Sequence, residues 1–362
     1  MNSEKTEGNE RQILIEIIDK LCVEHMFKKG REGEKEFEML LTTQNEDGLR
    51  YLKRKARETA DRIYGKIIYI RGLIEFTNYC KNNCFYCGIR KDNNRIQRYR
   101  LSHDQILECC HKGYEFGFRT FVLQGGEDAY FTDDKICSIL SDIKSNYPDC
   151  AVTLSIGEKS RESYQAFFDA GADRYLLRHE TANEEHYKKL HPSEMSLANR
   201  KQCLSQLKEI GYQAGCGFMV GSPYQTMQTL YEDLIFMREF QPHMVGIGPF
   251  IPQKDTPFGE QKAGTLDRTL RLLSIIRLMN PHVLLPATTA LGTIHLRGRE
   301  LGVTAGANVV MPNLSPAKVR DNYKLYDNKI YTGVEAAEGI TELSNKMSEI
   351  GYQIVTDRGD FR

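Results

Sequence analysis

Three cysteines, Cys80, Cys84 and Cys87, fall within eight residues of one another. Thiolates spaced this closely on one loop can converge on a metal centre, and two chemistries suit them. A structural zinc ion takes four protein ligands in a closed tetrahedron. Its fourth ligand would have to come from a distance, with His103 the nearest histidine. A cubane iron–sulfur cluster takes one cysteine per iron. Three cysteines then leave one iron without a protein ligand, free to bind a small molecule directly. The spacing favours the cluster, because zinc sites commonly pair cysteines two by two. The other seven cysteines are scattered and read as small buried side chains. Among them Cys216 is the one expected nearest a site, on a strand.

A β-rich run, Ile67–Phe76, leads into the cysteine loop. Further short runs follow at Thr120–Leu123, Ala151–Ser155, Arg174–Leu177, Gln213–Met219, Met244–Ile247, Val283–Pro286 and Asn308–Met311. Helical stretches separate them, at His103–Phe116, Asp133–Lys144, Arg161–Ala170, Leu197–Ile210, Met227–Phe240 and Leu266–Leu278. Strands alternating with helices imply right-handed crossovers and a parallel sheet. Eight such units close a (β/α)8 barrel. Gly117, Gly171 and Gly211 stand where helices must stop before the next strand. An open doubly wound sheet competes, but no GxGxxG follows the first strand. The fold class expected is α/β, a complete TIM-type barrel over residues 66–315. Helices over 1–65 pack on it, with Leu14, Ile17, Ile18 and Leu21 on one stripe. A helical tail over 316–362 closes it, with Val319, Tyr323 and Tyr326 along one face. The polar end, Asp357 to Arg362, is expected to fray.

Active sites of such barrels lie at the C-terminal ends of the strands. There the sequence gathers Gln124-Gly125-Gly126-Glu127, Gly157-Glu158, Arg178-His179-Glu180-Thr181, Ser222, Thr288-Thr289 and Asn313. Singly, such residues serve as caps and turns. A glutamine, an arginine and two glutamates at strand ends ask for more, because buried charge is costly unless paired or bound to a ligand.

The composition narrows the partners. Lys+Arg and Asp+Glu both total 49, so no basic excess points to nucleic acid. No run approaches the roughly 18 apolar residues of a membrane span. The polar stretch Met1–Arg11 lacks the apolar core of a secretory signal. A cytoplasmic protein with reduced thiols is expected.

CxxxCxxC with an aromatic residue before the last cysteine is the signature of the radical S-adenosylmethionine (SAM) superfamily, and Cys80, Cys84, Tyr86 and Cys87 match it. Longer strings are more specific. Ile74-Glu-Phe-Thr-Asn-Tyr-Cys80, Val122-Leu-Gln-Gly-Gly-Glu-Asp128, Arg174-Tyr-Leu-Leu-Arg-His-Glu-Thr-Ala-Asn183, Met244-Val-Gly-Ile-Gly-Pro-Phe-Ile-Pro252 and Pro286-Ala-Thr-Thr-Ala290 resemble the HydE family of [FeFe]-hydrogenase maturases. The resemblance runs from about residue 10 to about 330.

It implies a [4Fe-4S] cluster on Cys80, Cys84 and Cys87, with SAM on the open iron. SAM would be cleaved reductively to a 5′-deoxyadenosyl radical. Tyr86, Gly126, Glu127, Glu180 and Arg200 would hold SAM, with Arg200 on its carboxylate and Glu180 on its ribose. Gln124, Thr153, Arg178, Met244, Thr288, Thr289, Tyr323 and Tyr326 would line the substrate cavity. Arg178 with the two threonines makes sense as a carboxylate clamp, a planar donor fork flanked by neutral donors. The implied role is assembly of the hydrogenase di-iron centre. The substrate would be a cysteine-bearing iron carbonyl/cyanide complex, with other hydrogenase maturases as partners and a ferredoxin or flavodoxin as electron donor. Some members carry a second cysteine set near the C-terminus. Here no cysteine follows Cys216, and Tyr331 stands about where the first would fall, so one cluster is expected. The rival within this group is a methylornithine synthase acting on lysine. Biotin synthase is more distant, and a zinc-stabilised scaffold is the rival of another class.

Overall fold

Along the first helix, Leu14, Ile17, Ile18 and Leu21 are all buried, as their 3.6-residue period requires. In the computed structural model, which describes residues 2–28 and 30–362, that helix is α1 (Asn2–Glu24), followed by α2 (Arg31–Thr42) and α3 (Glu46–Tyr64). Asn45 caps α3, its side chain accepting from Gly48 N over 2.9 Å. α3 lies along α10 (Leu266–Met279), so the N-terminal helices brace the barrel wall.

Strands and helices then alternate: β1 (Ile67–Ile70), β2 (Gly72–Thr77), α4 (His103–Glu115), β3 (Thr120–Gly125), α5 (Asp133–Asn146), β4 (Ala151–Ser155), α6 (Arg161–Asp169) and β5 (Arg174–Leu176). After them come α7 (Glu184–Leu190), α8 (Leu197–Ile210), β6 (Gln213–Cys216), β7 (Met219–Val220), α9 (Met227–Phe240), β8 (Met244–Val245) and β9 (Gly248–Pro249). Past α10 lie α11 (Thr289–Ile294), α12 (Gly298–Thr304) and β10 (Val309–Val310). β2, β3, β4, β5, β6 and β8 form one parallel sheet in that order. Parallel bridges Met244–Leu284 and Pro286–Val309 carry the ladder to β10, which pairs with β1, and Leu73–Asn313 completes the circuit. The barrel is therefore closed.

Several strands are shorter than their apolar runs. Gly217 adopts φ +153°, and a Cβ there would sit 2.1 Å from Gly246 O. This close approach splits the expected Gln213–Met219 into β6 and β7. The expected strand Val283–Pro286 survives only as two isolated bridges. Gly211 stops α8 in the left-handed region at φ +114°, as its position required. Among the described residues no helix is long and apolar enough to cross a membrane.

The C-terminal region departs most from expectation. It holds α13 (Ala317–Arg320), α14 (Ile340–Glu349) and β11 (Gln353–Val355), the last running parallel to β1. α13 ends before Tyr323 and Tyr326, so the expected helix through Val319, Tyr323 and Tyr326 does not form. Barrel loops claim its backbone instead: Asn78 Nδ2 donates to Asn322 O over 2.7 Å, and Gly88 N to Leu325 O over 2.9 Å. Nor is the chain end frayed. Arg174, fully buried in the barrel, pairs with Asp360 over 2.5 Å, and Arg358 pairs with Asp173 over 2.9 Å. Polar residues at the end are partners for charges inside the barrel, and together they plug its N-terminal mouth.

Candidate active site

β2 is buried along its whole length and delivers the chain to the C-terminal rim of the barrel, where the cysteine loop begins. The loop is held from outside itself. Lys81 N donates to Glu127 O over 2.9 Å, and Arg98 Nη2 donates to the carbonyls of Arg90 and Asn93. Gly126 presses against the loop so closely that a Cβ there would lie 2.2 Å from Tyr79 O and 2.6 Å from Cys80 Cβ.

Cys80, Cys84 and Cys87 open onto one cavity of about 340 Å³, and none forms a disulfide. Burial pushes all three thiols up, Cys87 to about 12, and neighbouring thiolates add to the shift at Cys84 and Cys87. Among the described residues no three histidine, cysteine or acidic side chains are arranged to share a single metal ion. His103, the distant candidate for a zinc site, instead pairs with Asp142 over 2.8 Å at the start of α4. A cubane needs a looser set, one thiolate for each of three irons. Its positive charge would offset the burial that disfavours thiolates.

Of the residues expected to hold SAM, Tyr86, Gly126, Glu127, Glu180 and Arg200 all reach this cavity. Glu180 does so from a left-handed backbone at φ +64°. Arg200 comes from α8, where burial opposes its charge while Tyr187 and Glu158 outweigh it and hold it protonated. Glu127 is already engaged: Oε1 accepts from Glu158 N over 3.0 Å and Oε2 pairs with Lys81 over 3.0 Å. Tyr86 places its hydroxyl 3.1 Å from His191 Nε2. His191 Nδ1 lies 3.0 Å from Tyr187 O, so Nδ1 carries the proton and Nε2 accepts from Tyr86.

Of the residues expected to hold substrate, Gln124, Arg178, Thr288, Thr289, Tyr323 and Tyr326 line the same cavity. Arg178 Nη2 donates to Glu180 Oε2 over 3.0 Å, while Arg178 Nε and Thr288 Oγ1 are buried without a hydrogen-bond partner. Both residues line the cavity, and unpaired donors beside it are suited to an anionic oxygen. Thr153 and Met244 do not line the cavity. Thr153 lies two residues before Ser155 on the same face of β4, one layer deeper, and Ser155 takes the wall position. Met244 packs with Tyr64, Tyr69, Leu284 and Val309, its sulfur 3.0 Å from Arg71 Nη1. Cys216 is also away from the site. It follows the inward Gly215 on β6 and so faces the surrounding core.

Residues 74–237 match the radical SAM superfamily. Over 275 residues the chain is 48% identical to the [FeFe] hydrogenase maturase subunit HydE of Thermotoga maritima, covering 76% of this chain and 78% of that one. The chain belongs to the HydE family. It is therefore a radical SAM enzyme, and the family carries a [4Fe-4S] cluster and SAM. It is also 28% identical to 3-methylornithine synthase of Methanosarcina acetivorans, over 87% of this chain and 91% of that one. The crystal structure of methylornithine synthase (PylB) superposes with a TM-score of 0.83 at 26% identity, covering 94% of this chain and 97% of the other. The maturase HydG shares the fold, with a TM-score of 0.76 at 21% identity over 95% of this chain and 76% of that one.

Among the cavity residues not anticipated are Glu75, Lys329 and Met195. Lys329 pairs with Glu75 over 2.5 Å, and Asn313 Nδ2 donates to the other Glu75 oxygen over 2.8 Å. Glu75 carried a signal, a carboxylate inside an apolar strand, which must have a partner. Lys329 and Met195 carried none, because they approach from segments without regular periodicity.

Proposed function

We propose that this chain cleaves SAM in the assembly of the dithiolate-bridged di-iron centre of [FeFe]-hydrogenase, acting on a cysteine-bearing iron carbonyl/cyanide precursor. The observation that carries the reading is one cavity lined by three thiols and by Arg178 and Thr288, whose Nε and Oγ1 are buried without a partner. When bound, a cluster with one open iron supplies a single low-potential electron to SAM. The chain's own part is to hold and orient. Cys80, Cys84 and Cys87 are the cluster ligands in this reading, and no second cluster is present. Backbone atoms at Tyr86 and Gly126, the carboxylates of Glu127 and Glu180, and the Arg200 guanidinium position SAM. Arg178, Thr288 and Thr289 grip a substrate carboxylate, and Gln124, Tyr323 and Tyr326 shape the remaining wall. Tyr323 and Tyr326, with Lys329 pinned to Glu75, cover the barrel mouth and exclude water from the reacting atoms.

The barrel, residues 66–315, works as one unit, braced by residues 1–65 and closed by 316–362. A ferredoxin or flavodoxin is the electron donor, other hydrogenase maturases are partners, and the setting is cytoplasmic. The PylB likeness in shape favours one alternative, rearrangement of lysine. Anaerobic reduction of the iron-loaded protein with SAM tests both. The proposal expects 5′-deoxyadenosine to rise with the cysteine-bearing iron complex and not with lysine; the opposite pattern selects the alternative. A cluster that persists after Cys80, Cys84 and Cys87 are all changed to alanine overturns the ligand assignment. In the same assay Arg178→Ala is expected to spare SAM cleavage while weakening retention of a carboxylate-bearing substrate.

A further inference from the structure

The orientation of the Arg200 guanidinium is fixed from two sides. Nε donates to Glu158 Oε1 over 2.5 Å, and Nη1 donates to Arg178 O over 2.6 Å. Nη2 has no hydrogen-bond partner among the described residues, and Arg200 lines the cavity. Glu158 is itself pinned. Its second oxygen accepts from Asn199 Nδ2 over 2.6 Å, and its backbone N donates to Glu127 Oε1 over 3.0 Å. Gly157 makes this possible: it adopts φ +79°, and a Cβ there would lie 2.2 Å from Glu127 Cγ. Glu127 in turn holds Lys81, the residue after Cys80, by its carboxylate over 3.0 Å and by its carbonyl over 2.9 Å. An unbroken polar chain thus runs from the cysteine loop through Glu127 and Glu158 to Arg200.

We infer that Glu158 is a positioning residue for the SAM carboxylate, setting Arg200 so that Nη2 is presented to it. The inference rests on the reading of Arg200 given above. Both partners are shielded, with side chains 16% and 9% exposed, so the pair is weakly screened by water. Without Glu158, Arg200 would lose the charge-assisted bond that fixes its long side chain and would have to be ordered at the moment of binding. Glu158 lies outside the cavity lining, so it acts through Arg200.

The test uses anaerobic, iron-loaded protein and two probes. S-adenosylhomocysteine carries the amino acid carboxylate; 5′-methylthioadenosine lacks it. Glu158→Ala is expected to weaken S-adenosylhomocysteine by roughly tenfold to a hundredfold, the range of one charged hydrogen bond, and to leave 5′-methylthioadenosine unchanged. Glu158→Gln keeps an oxygen acceptor and is expected to fall between wild type and Glu158→Ala, with iron content and melting temperature unchanged. Equal weakening of both probes, or no weakening of either, overturns the inference. Arg200→Ala separates the two readings. If it leaves S-adenosylhomocysteine affinity intact, Arg200 is not the carboxylate ligand and both readings fall. If it weakens that probe while Glu158→Ala does not, only the role of Glu158 falls.

Discussion

Lys329→Met strands a buried carboxylate. Glu75 is 1% exposed and Lys329 8%, with Nζ and Oε1 2.5 Å apart, and Asn313 is the remaining neutral donor to Glu75. Removing one partner of such a pair costs about 3–5 kcal/mol. Lys329→Met is therefore expected to destabilise the fold by about 3–5 kcal/mol. Adding Glu75→Gln removes the charge and is expected to recover most of the loss. Urea unfolding of the single and double variants at neutral pH measures this. Because Lys329 also holds Tyr323 O over 3.3 Å, the segment over the barrel mouth loosens with it, and the Gly88 amide bonded to Leu325 O is expected to exchange faster. A double variant no more stable than the single would refute the counter-ion argument. Lys329 would then act by packing over the Tyr323 ring, 4.9 Å from its centroid.

Two further perturbations probe the ends of the barrel. Gly126→Ala drives a methyl group into Tyr79 O and Cys80 and is expected to lower iron content sharply while far-ultraviolet circular dichroism stays native; normal iron loading would show that the turn can yield. At the other end, burial alone would raise the Asp360 carboxyl, but Arg358 and Arg174 hold it down at about 2, against 3.8 unfolded. A depressed carboxyl contributes stability above pH 3.8 and loses it as pH falls through about 2. Asp360 is 39% exposed, so the contribution is discounted to about 1 kcal/mol. Asp360→Asn is expected to flatten acid unfolding between about pH 4 and about pH 2, and an unchanged acid limb contradicts the pairing.

Cavity-lining residues were most legible where spacing and backbone demand coincide. The cysteine triplet, the Gly125-Gly126 turn and the Glu180 and Arg178 strand end could all be read from residue type alone, because each breaks an apolar pattern at the end of a strand. Leu197–Ile210 and Met227–Phe240 were legible to the residue, since Ser196 and Thr226 cap them by accepting from Asn199 N and Thr229 N. Three kinds of feature were not legible. Short helices such as α7 and α12, seven residues each, hold too few turns to show a period. Depth along a strand was misjudged for Thr153 and Met244, because alternation gives the face of a residue and not its layer. Partners far apart in sequence, Glu75 with Lys329 or Arg174 with Asp360, depend on closure of the barrel, which no local pattern encodes.

The cavity is lined or flanked by four carboxylates, and each has a cation: Glu75 with Lys329, Glu127 with Lys81, Glu158 with Arg200 and Glu180 with Arg178. A wall neutralised pair by pair offers little net field to draw in ions of either sign. Selection then falls to the donors left over after pairing, chiefly Arg178 Nε and Thr288 Oγ1, which are buried and unsatisfied. A ligand without a matching acceptor leaves such donors unpaired at about 1–3 kcal/mol each, while one that fills them recovers that cost. The pairs also restrain the arginines, so the geometry is set before a ligand arrives. Exchanging one pair for a neutral pair of similar shape should therefore disturb ligand choice less than removing a single member, because a stranded buried charge costs more than the lost attraction between the two partners.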